Sequence, residues 1–580
     1  MKFFLIALLL ILTGCSESSR DSEGLLSDGQ NLIIRNYILE QNKKGVQVNI
    51  KKKFGANLKG LKILGVKLVN EDLSGIDLSS CEISRTDFSG ANFENAIFTK
   101  AIIQDSDFSG AKFKNISAYG SDFQASIFEQ TIIENANFIQ SNFEETDFIK
   151  ANLLNVNFEN AKMKKSIFDD SIINKSNFQK SSLGDSSFQK ATISNSIFYG
   201  ADLYQMLADY ANISDCYYES VDLTGANLID AIIKNSDFTH AIINQAKLTR
   251  TQLINSVFAF SSLQSALFNK TNIENCNFES ANFNNAQLNQ VVIQKSFMDN
   301  VRFNDGNIKA LSMKDTSAIA VKFNKINITN AEIENSNFSN MSLNNSYVIQ
   351  SVFVNSNLTN SEISNANLFN CQFTNSDFSK IFIQNSLLTK IQFNVSKLYQ
   401  MAIIDTNLTE VIFDNSPILN SQLNNVKYPD NSLINSDFNK NLVLNSSDLN
   451  VLKSNDIIYS IKDLETIKDL SNMNFRGINL SGLVFNQTIF SGTILKEADL
   501  SNTLMQNCLL QNADLTSTNL NGTNFSNSSL IGSNLESAKI FNSNFNNTDL
   551  TNVNFIKSFI SKISLDNAKL DGTKGLEAHR

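Results

Sequence analysis

The side chains of this 580-residue chain that are best suited to chemistry are its six cysteines, its two histidines and its many carboxylates. His240 follows Phe238 by two residues and His579 stands next to the last residue, so neither offers a base that a nucleophile could readily join. Six cysteines over this length do not make a disulfide framework, and no CxxC or Cys/His cluster has the spacing of metal ligands. Phosphate-loop, dinucleotide-binding, HExxH and EF-hand patterns are also missing. Glu134, Glu144, Glu145 and Asp147 are the sort of carboxylates that sugar chemistry on a β-wall would use. The reading favoured for them is a solvated face that keeps the chain soluble. The sequence therefore assigns no catalytic residue, no cofactor and no metal, and the protein is expected not to be an enzyme.

Cys15 differs from the other five. Met1 and Lys2 precede an uncharged run from Phe3 to Thr13, followed by Gly14, Cys15 and Ser16. The run is too short for a bilayer span, which needs about 20 residues, and has the size of the apolar region of a secretion signal. Leu12-Thr13-Gly14-Cys15 resembles the lipobox of bacterial lipoproteins. That resemblance implies cleavage before Cys15, acylation of its thiol and attachment to a membrane through the acylated Cys15. Residues 1–14 are then a signal peptide and 15–30 a lipidated polar tether. The expected location is the bacterial cell envelope, with the outer membrane favoured in a Gram-negative cell because Ser16 rather than Asp follows the cysteine.

The elements that would carry any working surface come from a repeat. Every fifth residue from Leu58 to Val443 is apolar, and a second array with the same step runs from Phe475 to Leu570. Most of the 44 phenylalanines lie at these centres. The residue two before each centre is usually Ala, Ser, Thr, Val or Cys, and the two columns together contain a single charged residue, Glu71. Both columns must face a dry interior. Neither a 3.6-residue helical period nor a two-residue strand alternation keeps a five-residue stripe on one face for so long, whereas a solenoid does. Cys81, Cys216, Cys276, Cys371 and Cys508 all lie in the small-residue column, where packing explains them. Nearly all glycines of the arrays sit two residues after a centre, and Asn often replaces them, so a corner with positive φ is expected there.

The units Ala91-Asn92-Phe93, Ser106-Asp107-Phe108, Ala226-Asn227-Leu228 and Ala513-Asp514-Leu515 resemble the pentapeptide repeat family. The resemblance implies an all-β solenoid: a right-handed quadrilateral β-helix with four repeats, or 20 residues, per coil. The sequence carries its own sign of four sides. Steps of 20 give Phe138, Phe158, Phe178, Phe198, Tyr218, Phe238, Phe258 and Phe278, while the adjacent column gives Ile133, Leu153, Ile173 and Ile193.

Solenoid ends need caps. Residues 31–55 are expected to cap the N-terminal end, with a short helix over 31–44 and a strand over Val46–Ile50. Residues 56–445 form the first array, 446–472 a short helical insertion, 473–572 the second array and 573–580 a C-terminal tail. The insertion's helix is inferred from the spacing of Ile457, Ile461, Leu464, Ile467 and Leu470.

A formal net charge of −9 is mild for this length. Averaged over the chain it argues against an electrostatic grip on nucleic acid or on an anionic bilayer. The leading expectation is a non-enzymatic, lipid-anchored rod whose outward surface meets an envelope protein, a glycan or a host molecule. A homodimer through the C-terminal coil is a further expectation drawn from the resemblance. Two alternative readings stand beside it. One is a DNA-mimicking protein that binds topoisomerases, which the export signal and slight acidity disfavour; the other is a β-helical carbohydrate-active enzyme.

Overall fold

The computed structural model describes residues 24–414, a few positions between Ser416 and Glu465, and residues 468–576 except Asn474. The signal segment with Cys15 and the helix expected around Ile457, Ile461 and Ile467 lie outside these residues, as does His579.

The repeat folds as a parallel β-solenoid. Each pentapeptide gives one short strand or a single bridge, and its partner is always 20 residues away: Ile133 pairs Leu153, Leu153 pairs Ile173, and Ile173 pairs Ile193. Four pentapeptides therefore make one coil. Centres and small residues both point inward and are almost completely buried. The aromatic column stacks as expected, with ring centroids of Phe178, Phe198, Tyr218 and Phe238 separated by 4.7, 4.6 and 4.7 Å and planes within 6° of parallel. Ring spacing thus matches the separation of neighbouring strands, about 4.8 Å, so the stack and the hydrogen-bond ladder share one repeat.

Buried Ser, Thr and Cys belong to that ladder. Ser196 accepts from the Ser176 backbone N–H (3.1 Å) and donates to the Ser194 carbonyl (2.8 Å). A small side chain with one hydroxyl therefore satisfies itself without water, which accounts for the composition of the column.

Corners depart from the sequence expectation in their generality. Residues two after a centre adopt φ near +55° whatever their type: Asn95 at 59°, Lys100 at 56°, Tyr210 at 61° and even the β-branched Val395 at 53°. The closed path of the coil sets this conformation, and Gly or Asn merely occupies it at lower cost. Exposed asparagines in one corner column form a ladder of their own, with Nδ2 to Oδ1 distances of 3.3, 3.2 and 2.8 Å along Asn95, Asn115, Asn135 and Asn155.

Two compact units divide the described chain, residues up to Asn307 and residues from Ile308 onward. The first opens with the cap. Helix α1 spans Asp28–Lys44, three residues more than the expected 31–44, because Ser27 and Gln30 form a reciprocal capping box. The tether is correspondingly shorter. Leu26 is already buried, and its N–H donates to the Lys59 carbonyl at 2.9 Å. The strand expected over Val46–Ile50 does not form. That segment has no strand pairing, turns at Asn49 with φ 54°, and leads into a short helix α2, Ile50–Phe54. Ile34 and Ile38 of α1 pack on the first coil with no exposure.

The cap satisfies the open edge of that coil with side chains. Asn31 accepts from Lys62 N–H (2.8 Å) and donates to the Gly60 carbonyl (3.2 Å). Asn42 makes the same pair of contacts to Lys67 N–H and C=O, both at 2.9 Å. Glu71, the charged exception in the inward column, is the anchor of the cap. Its Oε1 accepts from the backbone N–H groups of Val48 (2.9 Å) and Asn49 (3.0 Å) and from Gln47 Nε2 (2.9 Å).

The second unit holds the rest of the first array and the whole second array. The latter starts earlier than residue 473: Asp469 bridges Ile489, and Leu470 is buried with its N–H on the Ile489 carbonyl at 2.7 Å. Leu470 is a repeat centre, five before Phe475, and belongs to the solenoid rather than to the expected insertion helix. At the other end pairing continues to Lys574 opposite Asn554, and Leu576 is buried, so the tail proper is shorter than 573–580.

Candidate functional site

The residues singled out for chemistry do not converge. The Phe260 ring stacks on His240, with centroids 5.2 Å apart, at an outward corner. The five described cysteines are free and buried, and burial pushes the thiols of Cys216 up to about 12 and of Cys276 and Cys371 up to about 11. Cys216 Sγ instead donates to the Ser214 carbonyl at 3.1 Å, in the manner of the serines above and below it. These thiols are packing groups and poor nucleophiles at neutral pH.

The four carboxylates are spread over three pentapeptides, with only Glu144 and Glu145 sharing one. Glu134 pairs with Lys114 (3.7 Å) and Glu145 with Lys165 (3.2 Å), both exposed pairs between successive coils. Glu144 lies on a third position, next to the centre Phe143. Asp147 is half-buried and accepts from the Ile149 N–H at 2.7 Å; desolvation, aided by Glu129 and Asp169, raises its pKa. Among the described residues no group of three or more His, Cys, Asp or Glu is placed to hold a metal ion. No described helix is long and apolar enough to cross a membrane.

Surface concavities among the described residues include two of note. In the second unit, a hollow of about 760 Å³ follows a corner column, Asn345, Asn365, Asn385 and Asp405, with the Tyr347 ring and Leu387 beside it. It presents amides, a carboxylate and an aromatic ring, a set that can hydrogen-bond and stack against a polar ligand. In the first unit, a hollow of about 370 Å³ forms beside Gly184, between Lys164 and Tyr204. A Cβ at Gly184 would meet nothing closer than Asp202 Oδ2 at 3.7 Å, so the missing side chain itself makes the space. Neither hollow was read from the sequence, since each depends on residues 20 apart becoming neighbours. The one signal available was Gly184, a glycine outside the corner position.

Models of the repeat match over most of the chain: a pentapeptide repeat region at residues 119–188, and eight-copy pentapeptide repeats across 55–115, 209–305 and 469–572. This chain belongs to the pentapeptide repeat family. No curated protein sequence matches it significantly. Among solved structures it is similar to HetL from the cyanobacterium Nostoc sp. strain PCC 7120, a pentapeptide repeat protein involved in heterocyst differentiation regulation. The identity is 21%, with 46% of this chain and 94% of that chain covered and a TM-score of 0.18. QnrB1, a plasmid-mediated fluoroquinolone resistance protein, is 23% identical over 30% of this chain and 85% of its own, with a TM-score of 0.21. Rfr23 from the cyanobacterium Cyanothece 51142 is 25% identical over 19% of this chain and 89% of its own, with a TM-score of 0.15. These likenesses concern the repeat and its fold. In this family member the inward half of each repeat is committed to packing, so any recognition must use the outward columns.

Proposed function

We propose that this pentapeptide repeat protein is a non-catalytic, lipid-anchored interaction scaffold of the bacterial cell envelope. Cys15 is its acylated anchor, and the outward columns of the solenoid are its contact surface for an envelope protein, a glycan or a host molecule. The supporting observation is the separation of the cysteines. Five are buried in the small-residue column, and Cys15 alone stands outside it, behind an apolar run and two small residues. Packing explains the five and leaves Cys15 for covalent chemistry. Several acyl chains at about 0.8 kcal/mol per buried CH₂ would hold the protein on a membrane.

The hollow lined by the Asn345 column offers a place for a polar ligand. At the C-terminal coil, the inward residues Ile560, Leu565 and Leu570 are only partly buried, and a second copy placed there would complete their burial. Affinity capture from intact envelopes, with mass spectrometry of the N-terminus, tests the scaffold reading. It expects an acylated Cys15 and a captured envelope component. A cytosolic protein that retains residues 1–14 would contradict it.

A further inference from the structure

The mild average charge conceals a strong asymmetry. Residues 24–77, the cap with the first coil, contain nine basic side chains against five acidic ones, a net of +4, in a chain whose total is −9, and Lys44, Lys51, Lys59 and Lys62 are taken up in ion pairs. The fold gathers that excess at one place, because α1, the 46–49 segment and α2 form the N-terminal cap and pack against the first coil. Lys43, Lys52, Lys53 and Lys67 are exposed and have no ion-pair partner among the described residues. Lys67 is held against Asn42, the neighbour of Lys43, by the paired backbone contacts described above. Lys53 lies 5.9 Å over the Tyr37 ring, within the same cap. Averaging over 580 residues conceals this local excess.

The cap also exposes apolar side chains among those lysines. Leu32 is 57% exposed, Ile33 43% and Val46 50%. At 100° per residue, Leu32, Asn36, Leu39 and Lys43 lie along the side of α1 opposite Ile34 and Ile38, which bury against the coil. Free lysines mixed with exposed leucine and isoleucine match the boundary between anionic headgroups and acyl chains, where both kinds of group are satisfied at once. A phosphodiester backbone alone would leave the apolar members in water.

We infer that the outer side of the N-terminal cap is a lipid-facing surface that docks on anionic phospholipid headgroups. The preference for a bilayer over another polyanion is strengthened by the reading of Cys15 as the anchor. Eleven residues lie between Cys15 and Ser27, and those twelve steps reach at most about 40 Å when fully extended. Docking would set the cap against the membrane and direct the solenoid coils away from it.

The test is co-sedimentation of the full chain, as it is and as Cys15→Ser, with vesicles of phosphatidylcholine alone or with phosphatidylglycerol, alongside the quadruple variant Lys43→Gln, Lys52→Gln, Lys53→Gln and Lys67→Gln. The Cys15→Ser protein should bind phosphatidylglycerol vesicles at least ten-fold better than phosphatidylcholine vesicles at low salt. That preference should vanish in the quadruple variant and in 0.5 M salt. Leu32→Ser with Ile33→Ser should weaken phosphatidylglycerol binding several-fold while keeping the salt dependence, and unchanged melting of all variants would show intact folds. Equal binding to both vesicles, or a preference that survives the lysine replacements, would overturn the inference. So would tight binding to DNA without vesicle binding. Loss of the anchor reading alone would look different, since the wild type and Cys15→Ser would then match each other on each vesicle type while both kept the preference for phosphatidylglycerol.

Discussion

At the residue scale the fold asks each side chain a narrow question: whether it can be dry, small or left-handed. Tyr218 answers the first imperfectly. It is stacked between Phe198 and Phe238, fully buried, and its hydroxyl has no hydrogen-bond partner. An unsatisfied buried hydroxyl costs about 1–3 kcal/mol, so Tyr218→Phe should raise the melting temperature, and a fall would contradict the dry stack. Val395 answers the last imperfectly, with φ 53° at an exposed corner that follows Asn335, Asn355 and Asn375 in the same column. Val395→Asn should stabilise by about 1 kcal/mol in denaturant titration, through removal of left-handed strain at a β-branched residue. The buried thiols make a pH prediction. Burial pushes the Cys216 thiol up to about 12 in the fold, against about 8.5 for a free cysteine. Its contribution is complete below the unfolded value and lost as pH rises toward the folded one, because only the unfolded chain releases the proton in between. Stability should fall between about pH 9 and 12, and less steeply in Cys216→Ala.

At the element scale the cap is where the sequence was least legible. The inward columns could be read directly, since one geometric demand repeats unchanged across hundreds of residues. The cap occurs once, so no repetition marks it. Ser27 and Gln30 carry a helix-start signal, yet the polar stretch around them looked like tether. Glu71 could be seen as an exception, but its role needed the positions of Val48 and Asn49. Leu470 shows the opposite failure, where a repeat centre was absorbed into an apparent helical spacing. Glu71→Leu should leave two backbone N–H groups without an acceptor. Amide exchange should quicken at Val48 and Asn49, by an amount corresponding to about 1–3 kcal/mol, while coils around Phe178 stay protected. Uniform loss of protection along the coils would show that Glu71 is not local to the cap.

At the scale of the whole molecule, coils contact their neighbours and little else, so stability accumulates coil by coil. A charge placed in the aromatic column should therefore be far more damaging than one placed beside it. Phe178→Asp is expected to lower the melting temperature by much more than Gln179→Asp, since only the former is buried without a partner. Charge distribution belongs to this scale too: composition gave its average, and only the fold showed that the basic excess collects on one cap. The anchor at Cys15 and the insertion around Ile457 rest on the sequence alone. The central claim is that the chain closes on itself every 20 residues. Spin labels at Asn137 and Asn157, which are paired across adjacent coils, test it most directly in a Cys15→Ser background. Backbones about 4.8 Å apart should give strong dipolar broadening, with little for labels at Asn137 and Asp147, half a coil away. Equal coupling in the two pairs, or stronger coupling at the ten-residue spacing, would contradict the account.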